Sequence, residues 1–418
     1  MTTHSGTDAR DTELAAQYEA YPYPERDPRE ETKRLLIGSP SHLREIDYWV
    51  FGARRPRSHP LRALFAGCGT GDGAIMLATQ MARSRRPGEI ICVDRSGHAL
   101  TIAKSRAQAR NLTNISFIQG SLTSPETLPG QFDYIDCCGV LHHLPEPLET
   151  LKVLEEALLP GGGMGLMVYA PYGRTGVYML QEALEHLTPF SEQPSTRLDI
   201  ARRVMRTLPA TAWLRQNGNF GDHLTGGDAG LYDLLLNPRD RAYTIGAFLD
   251  LLTKAGLEPS CLMEPARYDP SLFLPDPKLR ARVETMSWRE KAEVAETLTG
   301  NMATHVAYVV RKGSRATPPD CCDPMAVPVM REMPGDELAK QILPNSTLPF
   351  SFGTLVVPVP LPSQTRGILP LIDGERTVGA IAAIMQERSL SERKFFTVWS
   401  ELFSRLESLN RVLLLSPV

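Results

Sequence analysis

The run Leu61-Arg62-Ala63-Leu64-Phe65-Ala66-Gly67-Cys68-Gly69-Thr70-Gly71 limits most what this chain can fold into. A short apolar stretch feeds a glycine-rich turn, and residues 72–82 behind it have helical spacing. Strand, tight turn and helix start together let backbone amides approach a nucleotide-like ligand closely. Glycines also occupy turns for conformational reasons alone, so the loop needs company. Ile90-Ile91-Cys92-Val93-Asp94 reads as a second buried strand, ending in a carboxylate suited to accept hydrogen bonds from two ribose hydroxyls. A third strand, Ile115-Ser116-Phe117-Ile118, ends at Gln119-Gly120-Ser121-Leu122. A fourth, Phe132-Asp133-Tyr134-Ile135-Asp136-Cys137-Cys138, runs into Gly139-Val140-Leu141-His142-His143-Leu144.

Taken in order, this set resembles the class I S-adenosylmethionine-dependent methyltransferases over residues 60–170. The glycine loop matches their motif around the methionine end of the cofactor, Asp94 their ribose-binding acid, and Ser121-Leu122 the adenine frame. Gly139-Val140-Leu141-His142-His143-Leu144 is similar to the "VLHHL" segment after their fourth strand. The resemblance thus implies S-adenosyl-L-methionine as cofactor, held by Ala66, Gly67, Cys68, Gly69, Gly71, Asp94, Arg95, Ser121, Leu122, Cys138, Gly139 and Tyr23. Two positions depart from the family pattern. Phe65 stands where the family usually has an acid, two places before the first glycine, and Ser121 where the third motif usually has an aspartate. A dinucleotide-binding dehydrogenase is the rival, but its G-x-G-x-x-G loop would need Ala74 as the third small residue. The His-His-Leu-Pro exit resembles methyltransferases and decides between them.

The chain has 418 residues, more than one compact core usually holds, so two or three units are expected. The net charge is −3 and no basic stripe occurs, which disfavours long nucleic acid as a partner. Seven cysteines include the pairs Cys137-Cys138 and Cys321-Cys322 without a CxxC, consistent with free thiols in a reducing compartment. Residues 1–10 are polar and read as disordered, and no apolar run reaches membrane-spanning length. Cytoplasmic location with no membrane partner is the expectation.

Residues 1–59 are expected to form an arm. Leu14 and Tyr18 share one face of a short helix over residues 11–20, and Tyr21-Pro22-Tyr23-Pro24 then imposes an extended path. The segment Gln17-Tyr18-Glu19-x-x-Pro22-Tyr23-Pro24 is similar to one that precedes the core in a bacterial methyltransferase group with the same loop and exit. It reads as a lid over the cofactor with Tyr18, Tyr21 and Tyr23 on its inner face, or as an arm merely packed on the core.

The fold class expected is α/β: a Rossmann-like seven-stranded sheet with one antiparallel strand, spanning residues 60–313. Strand five is placed at residues 163–170, strand six at 257–264 and strand seven at 305–310, with a helical insertion over about 174–242. An insertion at this edge lies over the ligand crevice and selects the acceptor, or else only covers sheet surface. Residues 314–345 read as a proline-rich linker and 346–418 as a small winged-helix-like α+β domain. Its stretch Gly367-Ile368-Leu369-Pro370-Leu371-Ile372-Asp373-Gly374-Glu375-Arg376 is similar to an "LLDG-x-R" element of bacterial protein-lysine methyltransferases. Charge in this part nearly balances, so protein contact, a homodimer included, or passive packing is expected over nucleic-acid binding.

Methyl transfer is an in-line displacement, so the enzyme positions two reactants and removes a proton where the acceptor needs it. His142, His143 and Tyr169 are the candidate catalytic residues; each histidine serves as base or only shapes the loop. No metal is expected, because no third ligand has suitable spacing. Tyr172 and Arg174 lie at the same edge, as acceptor contacts or as packing and solvent-facing groups, and residues 237–244 read first as a helix entry. The Asn/Asp-Pro-Pro-Tyr/Phe signature of amide and adenine N-methylation is absent. The leading expectation is a methyltransferase with a bulky acceptor, a protein or peptide side chain. Small-molecule C- or O-methylation and a non-catalytic cofactor-binding scaffold are the alternatives.

Overall fold

In the computed structural model, which describes residues 9–122, 128–219 and 221–416, seven strands form one sheet in the order β3-β2-β1-β4-β5-β7-β6. They are β1 (Leu61–Ala66), β2 (Gly88–Asp94), β3 (Ile115–Gln119), β4 (Phe132–Cys138), β5 (Leu158–Tyr169), β6 (Leu257–Leu262) and β7 (Thr304–Arg311). β7 is antiparallel to both its neighbours, and β1 to β5 pair in parallel. The expected sheet is therefore present. Strand five begins earlier than the sequence suggests: residues 158–162 join β5 through a register irregularity opposite β4.

Period-two alternation sorts the strand side chains onto two apolar faces. Ala63, Phe65, Ile90, Cys92, Tyr134, Tyr308 and Val310 face one core. Leu64, Ala66, Ile91, Val93, Ile135, Cys137, Ala307 and Val309 face the other, against the helices Pro147–Glu156 and Ile245–Lys254. The second helix starts where Thr244 accepts a hydrogen bond from the Ala247 amide and stops at Gly256, whose φ is +74°.

Between β5 and that helix lies the expected helical insertion, chiefly Val177–Leu187, Pro194–Thr207 and Gly227–Leu235, with an apolar centre of its own. At the other end, the residues read as a linker behave differently. Within them β8 (Pro328–Met330) pairs with the last strand, β11 (Val412–Leu414), and Gly335–Gln341 is helical. They belong to an α+β unit with the hairpin β9 (Thr347–Phe352)–β10 (Leu355–Pro360) and the helices Val378–Glu387 and Glu392–Ser408. Proline-rich stretches lack periodicity, and pairing with a strand 80 residues downstream leaves no local signal. Of the expected disorder over residues 1–10, residues 1–8 lie outside the described residues, while Ala9 and Arg10 open a helix instead.

This C-terminal unit shares its core with the sheet: Trp399, Phe395 and Phe350 belong to one continuous apolar cluster with Ile46, Tyr48 and Val310. At the junction Glu45 is fully buried, and its Oε1 accepts from Arg331 Nε (2.6 Å) and Asn410 Nδ2 (2.6 Å). Deleting residues 318–418 removes these two partners, leaving Ser39 and Tyr308, and bares that apolar face. The truncated chain is expected to aggregate or melt without a cooperative transition, as calorimetry and circular dichroism would read; a soluble truncation with an unchanged melt would contradict it.

Candidate functional site

The sheet's C-terminal edge opens into a cavity of about 620 Å³. The glycine loop forms its floor. Gly67 and Gly69 have φ of +79° and +51°, a region that L side chains rarely adopt. Both are also tightly packed: a Cβ on Gly67 would lie 2.6 Å from Val140 Cγ2, and one on Gly69 2.8 Å from the Tyr23 carbonyl oxygen. The loop is thus held between the arm and the exit of β4.

Asp94, at the end of β2, accepts the Gly69 amide on Oδ2 (2.7 Å) and the Ser96 amide on Oδ1 (2.9 Å). Each oxygen keeps a lone pair for a ribose hydroxyl. Burial raises the carboxyl above its ordinary range, while these amides pull the other way. With Ser121 and Leu122 on the same wall, the donor set suits a nucleoside of the expected cofactor.

The arm lies across this opening. Its helix, Ala9–Ala20, is pinned through Asp11 to Arg95 (3.0 Å) and through Glu19 to Ser96 Oγ (2.8 Å). Thr70 Oγ1 donates to the Pro24 carbonyl (2.7 Å), and Arg26 pairs with Asp72 (2.6 Å) at the first residue of the helix after the glycine loop. Tyr18 and Tyr23 line the cavity, whereas Tyr21 stacks on Tyr232 of the insertion with centroids 5.2 Å apart.

On the cavity wall the arm, the β4 exit, β5 and the insertion converge on Asp233. Its carboxylate is buried and accepts from Tyr18 Oη (3.0 Å), Tyr169 Oη (3.2 Å) and Asn237 Nδ2 (3.2 Å). Burial raises its carboxyl from the usual range. His143 lies beside these rings, 5.7 Å from Tyr169 and 6.2 Å from Tyr18 between centroids. Its Nδ1 is 2.6 Å from the Arg239 carbonyl, which can only accept, so Nδ1 carries a proton and Nε2 is the nitrogen left to accept one.

The two histidines therefore differ. His142 is fully buried, neither ring nitrogen has a hydrogen-bond partner among the described residues, and it packs 3.8 Å from the Tyr169 ring centroid. Burial, with His143 and Arg174 nearby, depresses its basicity and keeps it neutral. Its environment is that of a packing residue.

Tyr23, Gly67, Cys68, Gly69, Asp94, Arg95, Ser121, Leu122, Cys138, Gly139, His143 and Tyr169 line the cavity. Ala66 does not: period-two alternation turns it into the opposite core. Gly71 caps the helix Asp72–Ser84 behind the wall. Tyr172 is exposed and does not line the cavity. Arg174 is neither solvent-facing nor free for an anion, because it is buried, paired with Asp240 (2.9 Å) and placed 3.7 Å over the Tyr169 ring. Residues 237–241 do more than enter a helix: the Arg239 carbonyl sets the His143 tautomer, and the Arg241 amide donates to the His142 carbonyl (3.1 Å).

Asp136 and Asp233, also on the cavity wall, were not anticipated. A signal existed for each: a lone acid inside an apolar strand, Tyr134-Ile135-Asp136-Cys137, and inside an apolar helix, Leu231-Tyr232-Asp233-Leu234. A buried acid in such a setting needs partners or a ligand.

Comparison with known proteins places the domain. The family described as "Methyltransferase domain" matches residues 59–188. An uncharacterised protein of Synechococcus sp. is 30% identical over 301 residues, covering 71% of this chain and 70% of that protein. The ubiquinone biosynthesis O-methyltransferase of Acinetobacter baumannii is 28% identical over 153 residues, which are 36% of this chain and 60% of that enzyme. Among solved structures, PKMT2 from Rickettsia typhi in complex with AdoHcy superposes with a TM-score of 0.62 at 14% identity, covering 90% of this chain and 75% of that one. Sharing a family with the Synechococcus protein, and carrying the matched domain on this sheet, the chain belongs to the class I S-adenosylmethionine-dependent methyltransferases.

Proposed function

We propose that the enzyme methylates an amine nitrogen on a protein or peptide side chain. The observation that carries this reading is Asp233, a buried carboxylate on the cavity wall that accepts hydrogen bonds from the Tyr18 and Tyr169 hydroxyls. A desolvated carboxylate suits a cationic acceptor. A cavity of about 620 Å³ that must also take a nucleoside-bearing donor has room for a side chain, not for a folded surface.

S-adenosylmethionine supplies an electrophilic methyl group on its sulfonium when bound. The residues do the rest. Asp94 and the glycine loop orient the nucleoside, Asp233 holds the ammonium form of the acceptor, and Nε2 of His143 accepts the proton that must leave before the nitrogen lone pair is available. The arm, anchored through Arg26 and Asp11, keeps water from the reacting centre.

Small-molecule O- or C-methylation is the second reading, favoured by the likeness to the ubiquinone biosynthesis enzyme, which is confined to 153 residues. Incubating the enzyme with methyl-tritiated donor and size-fractionated bacterial lysate separates the two. Label in the protein fraction that survives mild base and appears as N-methylated amino acid after hydrolysis is the expected result. Label found only in solvent-extractable small molecules would overturn the proposal in favour of the second reading.

A further inference from the structure

The glycine loop lacks the acid its family usually places two residues before the first glycine, and Phe65 stands there instead. On the neighbouring strand, in register with Phe65, stands Asp136. Registered residues of adjacent parallel strands project to the same face, and Phe65 and Asp136 both line the cavity. They also flank the same point of the loop helix: a Cβ on Gly73 would lie 3.0 Å from Phe65 Cε1 and 3.9 Å from Asp136 Oδ2.

Asp136 is held firmly. Its Oδ2 accepts a short hydrogen bond from Ser41 Oγ, and its Oδ1 accepts the Cys138 amide at 3.2 Å. Ser41 is fixed in turn, its amide donating to Tyr308 Oη at 2.8 Å, and that hydroxyl donates to Glu45 Oε2 at 2.8 Å. Glu45 is the carboxylate clamped by Arg331 and Asn410, so the chain of hydrogen bonds runs from the C-terminal unit to the cavity wall. No lysine, arginine or histidine among the described residues pairs with Asp136. Burial pushes its carboxyl up to about 6. A desolvated carboxylate without a cation is costly, and two of its lone-pair sites remain to accept hydrogen bonds.

We propose that Asp136 is the carboxylate that binds the α-ammonium of the donor's methionine moiety, standing one strand over from the position Phe65 occupies. The sulfonium has no N–H to donate, whereas the ammonium offers three donors to those lone pairs. The Ser41–Tyr308–Glu45 chain positions the carboxylate, and thereby ties donor binding to the packing of the C-terminal unit.

Calorimetric titration of the full chain tests this without reference to any acceptor. The ligands are S-adenosylhomocysteine, its desamino analogue and 5′-methylthioadenosine, which lacks the amino-acid part. Wild type is expected to bind the desamino analogue about 10- to 100-fold more weakly than S-adenosylhomocysteine, the range of one hydrogen bond between charged groups. In Asp136→Asn that preference should shrink to within about threefold, with methylthioadenosine affinity unchanged as the control for folding. Equal binding of both ligands by wild type, or an Asp136→Asn variant that keeps the wild-type preference, would overturn the proposal. Should Asp136→Asn fail to fold, Ser41→Ala takes its place. It is expected to reduce the preference at least about threefold, and an unchanged preference there counts against the proposal equally.

Discussion

Replacing Asp94 by alanine should lower affinity for S-adenosylmethionine and S-adenosylhomocysteine by about two to four orders of magnitude, from two lost hydrogen bonds to a charged acceptor worth about 1.5–3 kcal/mol each. The loss extends beyond the ligand's own contacts. Asp94 also accepts the Gly69 and Ser96 amides, so its removal frees the glycine loop and the start of the next helix together. Calorimetric titration reads the effect directly, and a thermal melt on the same sample separates it from unfolding. Affinity within about threefold of wild type would remove Asp94 from the donor site. The same titration carries a pH sign. Burial raises the Asp94 carboxyl, so it takes up a proton at higher pH than an ordinary aspartate. Donor affinity should therefore fall on acidification and recover as pH rises, and Asp94→Ala should remove the part of that dependence due to Asp94 while the part due to Asp136 remains.

The second large effect belongs to His143. His143→Ala should slow methyl transfer to the labelled acceptor fraction by about 10²- to 10⁴-fold, the usual contribution of a positioned general base, while donor affinity stays within about threefold. The Nδ1–H donated to the Arg239 carbonyl fixes which nitrogen is free, so the ring is oriented before any acceptor arrives. His142→Phe is the matched control. Its ring is buried against Tyr169 and neither nitrogen has a hydrogen-bond partner among the described residues, so an apolar ring there forfeits no hydrogen bond and transfer should persist within about tenfold. Equal losses in both variants would assign the pair to loop shape and leave no base role for His143.

Much of this was open to a reader of the chain. Each apolar run that became a central strand is bounded by glycine, proline or a cap, and the carboxylate of Asp94 follows its strand directly. Local periodicity and turn chemistry therefore determined the seven strands and the glycine loop, because those features are written within about ten neighbouring residues, and the family resemblance carried by the motifs implied the cofactor class. Tyr18 and Tyr169 could be singled out for the same reason, each lying beside a recognisable motif.

What remained hidden joins residues far apart in sequence. Asp233 meets Tyr18 across 215 positions, Ser41 meets Asp136 across 95, and Asn410 meets Glu45 across 365. No spacing rule reaches that far, because each contact depends on which faces the sheet and the insertion bury against one another. The sequence by itself determined the fold class and the donor. Only the tertiary structure decided which histidine faces the cavity, where the second carboxylate lies and that the C-terminal unit shares the core, because burial and long-range hydrogen bonds arise from packing.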